Sequence, residues 1–210
     1  FWVLTGLAVV MVVAVLTVVP ETLPPERRHS GGLATLARNF GTVIGNRQFV
    51  GYAATFALGF GAMFSYISAS PFVVQEVLGM TPGQFSLIFA VNSVGLVAGN
   101  IVNTRLIGRF EVRNLLRYGV AQMLAAGILL VLAVLVADTA RWLVLPLLFL
   151  VVSSLGFVMG NATALAQGQV PKTAGTGSAV MGASQFGLAA LVSPLVGLGG
   201  EDTALPMALA

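Results

Sequence analysis

Residues 142–171 read WLVLPLLFLVVSSLGFVMGNATALAQGQVP, thirty residues without a charged side chain. A helix needs about 20 mainly apolar residues to cross a hydrocarbon core of about 30 Å. A charge at the centre of such a helix costs on the order of 3 kcal/mol, so a long uncharged run is the expected signature of a membrane span. The stretch therefore predicts a helix that crosses a lipid bilayer.

The same signature recurs along the rest of the chain. In lipid the backbone must satisfy its hydrogen bonds within helices or closed barrels, and barrel strands would be about 10 residues long with alternating polarity. The runs here are longer and do not alternate, so each predicts a helix. The uncharged runs are 1–20, 48–75, 77–104, 118–137, 142–171 and 173–200. The helices are expected near 1–19, 48–71, 83–104, 115–137, 142–166 and 173–198, with the start of a seventh, truncated helix at 203–210.

The overall composition agrees with a membrane protein. Only 8% of the residues are charged and 57% are hydrophobic, whereas a soluble domain carries about a quarter charged residues. The ten Lys and Arg residues are spread over loops and make no basic face, so the net charge of +3 does not indicate a nucleic acid partner. The absence of Cys excludes thiolate metal sites and a Cys nucleophile. Since the chain starts at Phe1 inside an apolar run and stops at Ala210, we expect a piece of a longer protein.

Lys and Arg residues predict the sidedness of the spans. The loops after the first, third and fifth spans carry nine of them, and the loops on the other side carry only Arg141. The positive-inside rule places the nine in the cytoplasm of a multi-pass protein in a cell (inner or plasma) membrane. The expected cytoplasmic segments are 20–47, 105–117 and 167–173. In the first of them, apolar residues at helical spacing predict an amphipathic helix at the inner interface, with a partly ordered linker as the alternative: Leu33, Leu36, Phe40, Val43 and Ile44.

Motifs that carry enzyme chemistry are absent from the sequence. There is no HExxH, GxSxG or P-loop motif, and no span holds paired carboxylates. The single histidine, His29, lies in a loop among Pro and Arg residues, where we expect it to be solvated. The sequence therefore predicts a protein that is not an enzyme and that has no cofactor and no metal site.

Uncharged polar residues within the spans allow two interpretations. Each side chain either forms a hydrogen bond between helices, worth about 1 kcal/mol, or contacts a solute in a central cavity. The residues concerned are Asn92, Asn100, Gln122, Ser153, Ser154, Asn161 and Gln185.

Glycine and proline patterns add two structural predictions. The pairs Gly95-x-x-x-Gly99 and Gly156-x-x-x-Gly160 indicate close helix packing. The stretch 59–71 of the second span is rich in Gly and Ser and ends in Pro71, which predicts a loosened helix beside protein or a water-filled cavity. The fifth span has Pro146 and glycines of its own, and transporters built from repeated helix triplets carry such interruptions in corresponding helices.

The residues that leave the third span on its cytoplasmic side form a recognisable motif. They read Gly99-x-x-x-Asn103-x-Arg105-x-x-Gly108-Arg109-x-x-x-Arg113. The pattern resembles the loop motif of major facilitator superfamily transporters, commonly Gly-x-x-x-Asp-Arg-x-Gly-Arg-Arg. Asn103 stands in place of the Asp, and Thr104 interrupts the Asn–Arg pair. Both departures are similar to the weaker copy of the motif, which lies between helices eight and nine of that superfamily.

Other stretches resemble drug:proton antiporters, and in particular the bicyclomycin-resistance (Bcr/CflA) branch. Residues 20–24, Pro-Glu-Thr-Leu-Pro, resemble the end of helix six. Residues 64–73, FSYISASPFV, resemble helix seven of the branch, and residues 174–179, AGTGSA, resemble its helix eleven. Ser193-Pro194-x-x-Gly197 is similar to a repeat copy of the antiporter Gly-Pro-x-x-Gly motif.

The resemblance implies an all-α integral membrane fold of twelve helices in two bundles. On this mapping, residues 1–19 are the last helix of the N-terminal bundle and 20–47 are the cytoplasmic linker. Residues 48–210 are the six-helix C-terminal bundle. The missing N-terminal bundle of the same chain and the lipid bilayer are the implied partners.

The resemblance also implies proton-coupled efflux of drug-like small molecules by alternating access. The proton gradient would drive transport through acids in the missing half. Helices seven and ten usually line the cavity, which makes seven residues candidates for solute contact: Phe56, Met63, Tyr66, Ser153, Phe157, Asn161 and Gln185. One alternative is a nutrient or metabolite carrier of the same superfamily. Another is a non-transport polytopic protein, which would require ionisable clusters at a membrane face.

Overall fold

The computed structural model describes residues 1–20, 32–135 and 141–198. In these ranges the regular structure is helical, which confirms the predicted all-α class. The chain divides into two compact units, Phe1–Leu36 and Ala37–Ala210. His29, the loop around it and the expected truncated helix at 203–210 lie outside the described residues.

The first unit contains helix α1 (Trp2–Val18), which has 17 residues and no charge. At 1.5 Å per residue it is about 25 Å long, at the lower end of what a bilayer span requires. Helix α2 (Leu33–Gly45) begins in this unit and forms where the sequence predicts an amphipathic helix. Its Val43 is buried, and Leu33 and Leu36 are exposed.

The second unit is a bundle of long helices. The segments Arg47–Val77, Pro82–Leu106, Val112–Leu135 and Trp142–Gln169 are each long and apolar enough to cross a membrane. The elements are α3 (Arg47–Phe72), a π-helical turn (Val73–Val77), α4 (Pro82–Leu106), α5 (Val112–Leu135), α6 (Arg141–Gln169), a 3₁₀ turn (Pro171–Thr173) and α7 (Ala174–Leu198).

Polar caps define where two of these helices begin. The Asn46 side chain accepts hydrogen bonds from the backbone N–H groups of Gln48 and Phe49, both at 3.1 Å, and so starts α3. Thr81 and Gln84 form a reciprocal capping box at the start of α4, with the Thr81 N–H donating to Gln84 Oε1 at 2.9 Å. A side-chain cap of this kind stabilises a helix by about 1 kcal/mol. Polar capping residues therefore mark where these two apolar helices begin.

Helix α6 lies at the centre of the bundle. It packs against α3, α4 and α5, and α7 packs against α3. One core cluster joins Tyr66 of α3 to Val144, Leu148 and Val152 of α6. A second cluster near the start of α3 brings together Val43, Phe49, Ala53, Ala166, Val170 and Met181. Burial of apolar side chains between helices thus positions α3 and α6, the two helices that carry six of the seven predicted solute contacts.

Glycines bring α4 and α6 into backbone contact. A Cβ at Gly95 or Gly99 would collide with Ser153, at its hydroxyl and at its carbonyl oxygen respectively. A Cβ at Gly156 would collide with the backbone of α4. The predicted close packing is therefore confirmed at these three glycines. It is not seen at Gly160, where a Cβ would meet nothing within 4 Å among the described residues.

Helix α3 is continuous through its glycines and through Pro71, so the prediction of a loosened helix is wrong. The glycines fit bulky neighbours instead. A Cβ at Gly59 would lie 3.1 Å from Val158 of α6, and one at Gly61 would lie 3.0 Å from Leu188 of α7. The irregular backbone comes later, in the π-helical turn that follows Phe72. Helix α6 also runs without a break past Pro146.

Side-chain hydrogen bonds connect helix termini at one end of the bundle. Asn46 Nδ2 donates to the Gln169 carbonyl oxygen at 3.2 Å, which joins the start of α3 to the end of α6. Arg113 Nε donates to Tyr52 Oη at 3.2 Å, which joins the start of α5 to α3. This end carries the basic residues that the sequence places on the cytoplasmic side, while Glu76 lies at the other end. The basic residues are Arg47, Arg105, Arg109, Arg113, Arg117 and Lys172.

Candidate substrate cavity and cytoplasmic loop

The loop motif divides into two structural parts. Gly99 lies inside the α4–α6 contact, whereas Gly108 makes the turn between α4 and α5. Gly108 has a φ of +93°, a left-handed conformation that glycine adopts without steric cost. Arg105 and Arg109 are exposed around this turn, as is Arg113 in the first turn of α5. The spacing of the motif thus combines a helix contact with a tight turn that projects arginines.

Asn103, the remaining motif residue, is buried and binds α6. Asn161 Nδ2 donates to Asn103 Oδ1 at 2.7 Å, and Asn103 Nδ2 donates back to Asn161 Oδ1 at 3.3 Å. Asn161 Nδ2 also donates to the Phe157 carbonyl oxygen at 2.8 Å. Both side chains are almost fully buried, 4% and 2% exposed. The pair is neutral and joins the two helices that the glycines also join.

The three α6 candidates for solute contact face neighbouring helices. Asn161 binds Asn103, and the ring of Phe157 meets Tyr118 of α5 edge to face at 5.3 Å. Ser153 lies against Gly95, and its buried hydroxyl has no hydrogen-bond partner in the described part of the chain. Phe157 and Asn161 therefore take part in packing between helices, and their contact with a solute stays a prediction.

Tyr66 on α3 is also held by protein. Its Oη accepts a hydrogen bond from Asn92 Nδ2 at 2.9 Å, and its ring stacks on Phe89 of α4 at 5.7 Å. The side chain is 6% exposed. For Asn92, the predicted interpretation as a hydrogen bond between helices is therefore confirmed. The same holds for Gln122, whose Nε2 donates to the Leu150 carbonyl oxygen at 3.3 Å.

Phe56 and Met63, the other two α3 candidates, lie on one stripe of the helix. Phe60 lies four residues after Phe56 and three before Met63, so the three side chains share one face of the helix. All three are partly buried. Phe60 lies 6.1 Å from Phe64 and 5.7 Å from Phe186 of α7, measured between ring centroids. Gln185, the α7 candidate, precedes Phe186 and is partly buried. We call Phe56, Phe60, Met63, Phe64 and Phe186 the aromatic stripe.

Three members of the aromatic stripe were not among the sequence candidates: Phe60, Phe64 and Phe186. The i, i+4 spacing of Phe56, Phe60 and Phe64 is a signal in the sequence that could have identified two of them. The contact of Phe60 with Phe186 could not be read this way, because it joins two helices far apart in the chain.

A groove runs between α3 and α5. It consists of a cavity of about 590 Å³ near the start of α5 and one of about 640 Å³ further along, and both are lined by Thr55, Val120 and Leu124. Tyr66 and Ser65 line the second cavity, and Arg113 lines the first. We call the two cavities together the α3–α5 groove. Most of its lining is apolar.

Comparison with known proteins identifies the family. The sequence profile of the Major Facilitator Superfamily matches residues 1–194. The chain belongs to the major facilitator superfamily. This confirms the predicted superfamily and agrees with the prediction that the chain is not an enzyme.

Individual relatives of this major facilitator chain include proteins named for drug resistance. It is 32% identical over 208 residues to an uncharacterized MFS-type transporter, YdgK, of Bacillus subtilis, covering 99% of this chain and 51% of that protein. It is 28% identical over 210 residues to a bicyclomycin resistance protein homolog of Haemophilus influenzae, covering 99% and 52%. It is 27% identical over 187 residues to the multidrug resistance protein MdtL of Klebsiella pneumoniae, covering 88% and 45%. The predicted resemblance to the bicyclomycin-resistance branch is confirmed.

The chain spans about half the length of the curated relatives it matches. In the described residues of this major facilitator chain, no group of three His, Asp or Glu side chains could hold a metal ion. What its bundle offers to a ligand is therefore aromatic and aliphatic surface, a few amides and hydroxyls, and the arginines at one end.

Proposed function

We propose that this chain is the C-terminal half of a proton-coupled exporter of drug-like small molecules that works by alternating access. The observation that carries the proposal is the aromatic stripe, in which Phe60 joins α3 to α7 through Phe186. The resistance-related names of several relatives support the same class of substrate.

The chemistry of the stripe fits flat, mainly apolar molecules. Phe56, Phe60 and Phe64 offer aromatic faces and edges, and Met63 adapts to irregular shapes because its thioether chain is flexible. The Gln185 amide can orient a polar group of the solute. A wall of this kind tolerates many related molecules, as in promiscuous binders that rely on Met-rich surfaces.

Charged nutrients fit this wall poorly. A phosphate or carboxylate group at membrane depth requires a cation, and the runs 48–75 and 173–200 that form α3 and α7 contain no Lys or Arg. A sugar requires a dense set of polar groups, whereas the five side chains of the stripe are apolar. The nutrient-carrier alternative is therefore less well supported than drug export.

Proton coupling belongs to the other half of the protein in this proposal. An ionisable group that titrates inside the membrane would be needed, and the uncharged runs of this chain supply none. The contribution of the C-terminal half is a cavity wall and a rigid frame. The Asn103–Asn161 pair and the glycine contact between α4 and α6 supply that frame, because alternating access moves helices largely as rigid bodies.

Accumulation of a fluorescent amphiphilic dye tests the proposal. Cells that express the full-length protein are compared with cells that lack it, with and without a protonophore. We expect lower dye accumulation in expressing cells, and loss of the difference when the proton gradient is collapsed. Equal accumulation in all conditions, for a panel of several drug-like dyes, would contradict drug export.

A further inference from the structure

The last part of helix α2 is packed into the second unit of the chain. Val43 is 0% exposed, and Asn39, one helical turn earlier, is partly buried. Arg38 and Thr42, on another face of the helix, are exposed. One face of this helix end therefore lies against the bundle. Val43 shares its core cluster with Phe49, Ala53, Ala166, Val170 and Met181.

A single residue, Asn46, separates α2 from α3. Its N–H donates to the Val43 carbonyl oxygen at 3.2 Å, and its side chain caps α3. Its Nδ2 donates to the Gln169 carbonyl oxygen at the end of α6, also at 3.2 Å. The backbone and the side chain of Asn46 are thus both bonded. No free length of chain remains between α2 and the bundle.

The helix ends that receive Val43 are themselves closely packed. Phe49, in the first turn of α3, is 0% exposed. A Cβ at Gly177, at the start of α7, would lie 2.9 Å from Val170 Cγ2 and 3.3 Å from Phe49 Cε2. Closely packed interiors have low compressibility and transmit displacement. A movement of the ends of α3 and α6 is therefore passed on to Val43.

We propose that the segment Ala37–Asn46 moves with α3 and α6 as one rigid body during alternating access. This part of the predicted linker then transmits the movement between the two halves of the transporter instead of absorbing it. Alternating access is largely a rigid-body movement of one bundle against the other. Because it concerns that movement, the proposal rests on the proposed function, but it does not depend on the class of solute.

The competing explanation is that the membrane surface holds α2. Phe40 and Ile44 are 49% and 47% exposed, and an amphipathic helix can lie at the interface through such side chains. In that case α2 would keep its place in the bilayer while α3 and α6 move. The distance between α2 and the bundle would then change during the transport cycle.

Distances between spin labels on the full-length protein distinguish the two explanations. The labels are attached in a cysteine-free background, and the protein is studied in lipid nanodiscs. The first pair is Thr42→Cys with Arg109→Cys, which are exposed positions of α2 and of the turn between α4 and α5. The reference pair is Thr17→Cys with Arg109→Cys, because α1 is the predicted last helix of the N-terminal bundle. Double electron–electron resonance is recorded at low and high pH, with and without an amphiphilic dye.

The two pairs should behave differently. We expect one narrow Thr42–Arg109 distance distribution that is the same in all conditions, and a Thr17–Arg109 distance that shifts by several ångström. A Thr42–Arg109 distance that also shifts would overturn the proposal and leave alternating access standing. Constant distances in both pairs would overturn both, since no movement between the halves would then exist for α2 to transmit.

Variants of α2 show which of its faces holds the helix in place. Val43→Asn puts an amide into the apolar cluster and should broaden the Thr42–Arg109 distribution, and the milder Val43→Ala should broaden it less. Phe40→Asn, at an exposed position three residues earlier, is the matched control and should leave the distribution unchanged. An unchanged distribution in Val43→Asn, or equal broadening by Phe40→Asn, would overturn the proposal.

Discussion

Asn103 of α4 and Asn161 of α6 hold each other through two amide hydrogen bonds, 2.7 and 3.3 Å long, within the helix bundle. Neither side chain ionises, so the joint between the two helices does not depend on pH. In the loop motif that the sequence resembles, this position is commonly an Asp. Here it is an amide whose donor and acceptor are both used.

The amide pair predicts a thermodynamic coupling. Asn161→Leu leaves the buried amide of Asn103 unpaired, and we expect a loss of about 1–2 kcal/mol in the free energy of unfolding. Asn103→Leu should act similarly, and the double variant should lose less than the sum, because both unpaired groups are then removed. Unfolding in detergent measures all three. Asn100→Ala, at an exposed position of α4, is the control and should be neutral. Strict additivity of the two Leu substitutions would contradict the pair.

The glycine contact predicts a sharp difference between two similar substitutions. Gly99→Ala introduces a methyl group against the backbone oxygen of Ser153, which cannot move aside, and should destabilise the protein by about 1–3 kcal/mol. Gly160→Ala meets no atom within 4 Å in the described part of the chain and should be neutral or slightly stabilising, because Ala is the better helix former. Melting temperatures of the two variants measured side by side check this. Equal effects would contradict the backbone contact between α4 and α6.

The aromatic stripe predicts which residues control export, if the proposed function is correct. Phe60→Ala removes the ring that contacts both Phe64 and Phe186, and we expect a severalfold rise in dye accumulation at unchanged protein level. Phe186→Ala should have a comparable effect, and the double variant little more, since both break one contact. Phe110→Ala, in the turn between α4 and α5, is a matched control. Normal export by the Phe60 variant would remove the stripe from the cavity.

Labelling from one side of the membrane tests the predicted orientation. The chain has no Cys, so single-cysteine variants give a clean signal. Glu76→Cys, beyond α3, should react with an impermeant maleimide on intact cells, whereas Arg109→Cys should react only after the cells are opened. Both positions are exposed. Reaction of both on intact cells would contradict the positive-inside assignment.

The helices of the bundle could be predicted because the charges that separate them are few. Their ends were less accurate where charges lie inside a helix. Helix α5 begins at Val112 rather than near 115, so that Arg113 belongs to it as well as Arg117. An arginine near the end of a membrane helix reaches the interface by extending its side chain, and it therefore does not end the helix. A rule based on uncharged runs cannot detect this.

The faces of the helices could not be predicted. Helix α6 is apolar on all sides, so no polar stripe shows which side meets α3, α4 or α5. The contacts of Phe157 with α5 and of Asn161 with α4 could therefore not be read from the sequence, and their contact with a solute stays a prediction. Gly156 and Gly160 illustrate the same point: they belong to one G-x-x-x-G pair, but among the described residues only Gly156 lies against a neighbouring helix.

The backbone contact at Gly95, Gly99 and Gly156 limits how the bundle can rearrange. Helices whose main chains touch cannot slide or roll past each other without collision, whereas side chains can change rotamer. Any transition between conformations must therefore move α4 and α6 together as one rigid unit. Relative movement of helices has to occur where side chains make the contacts, as between α3 and α7.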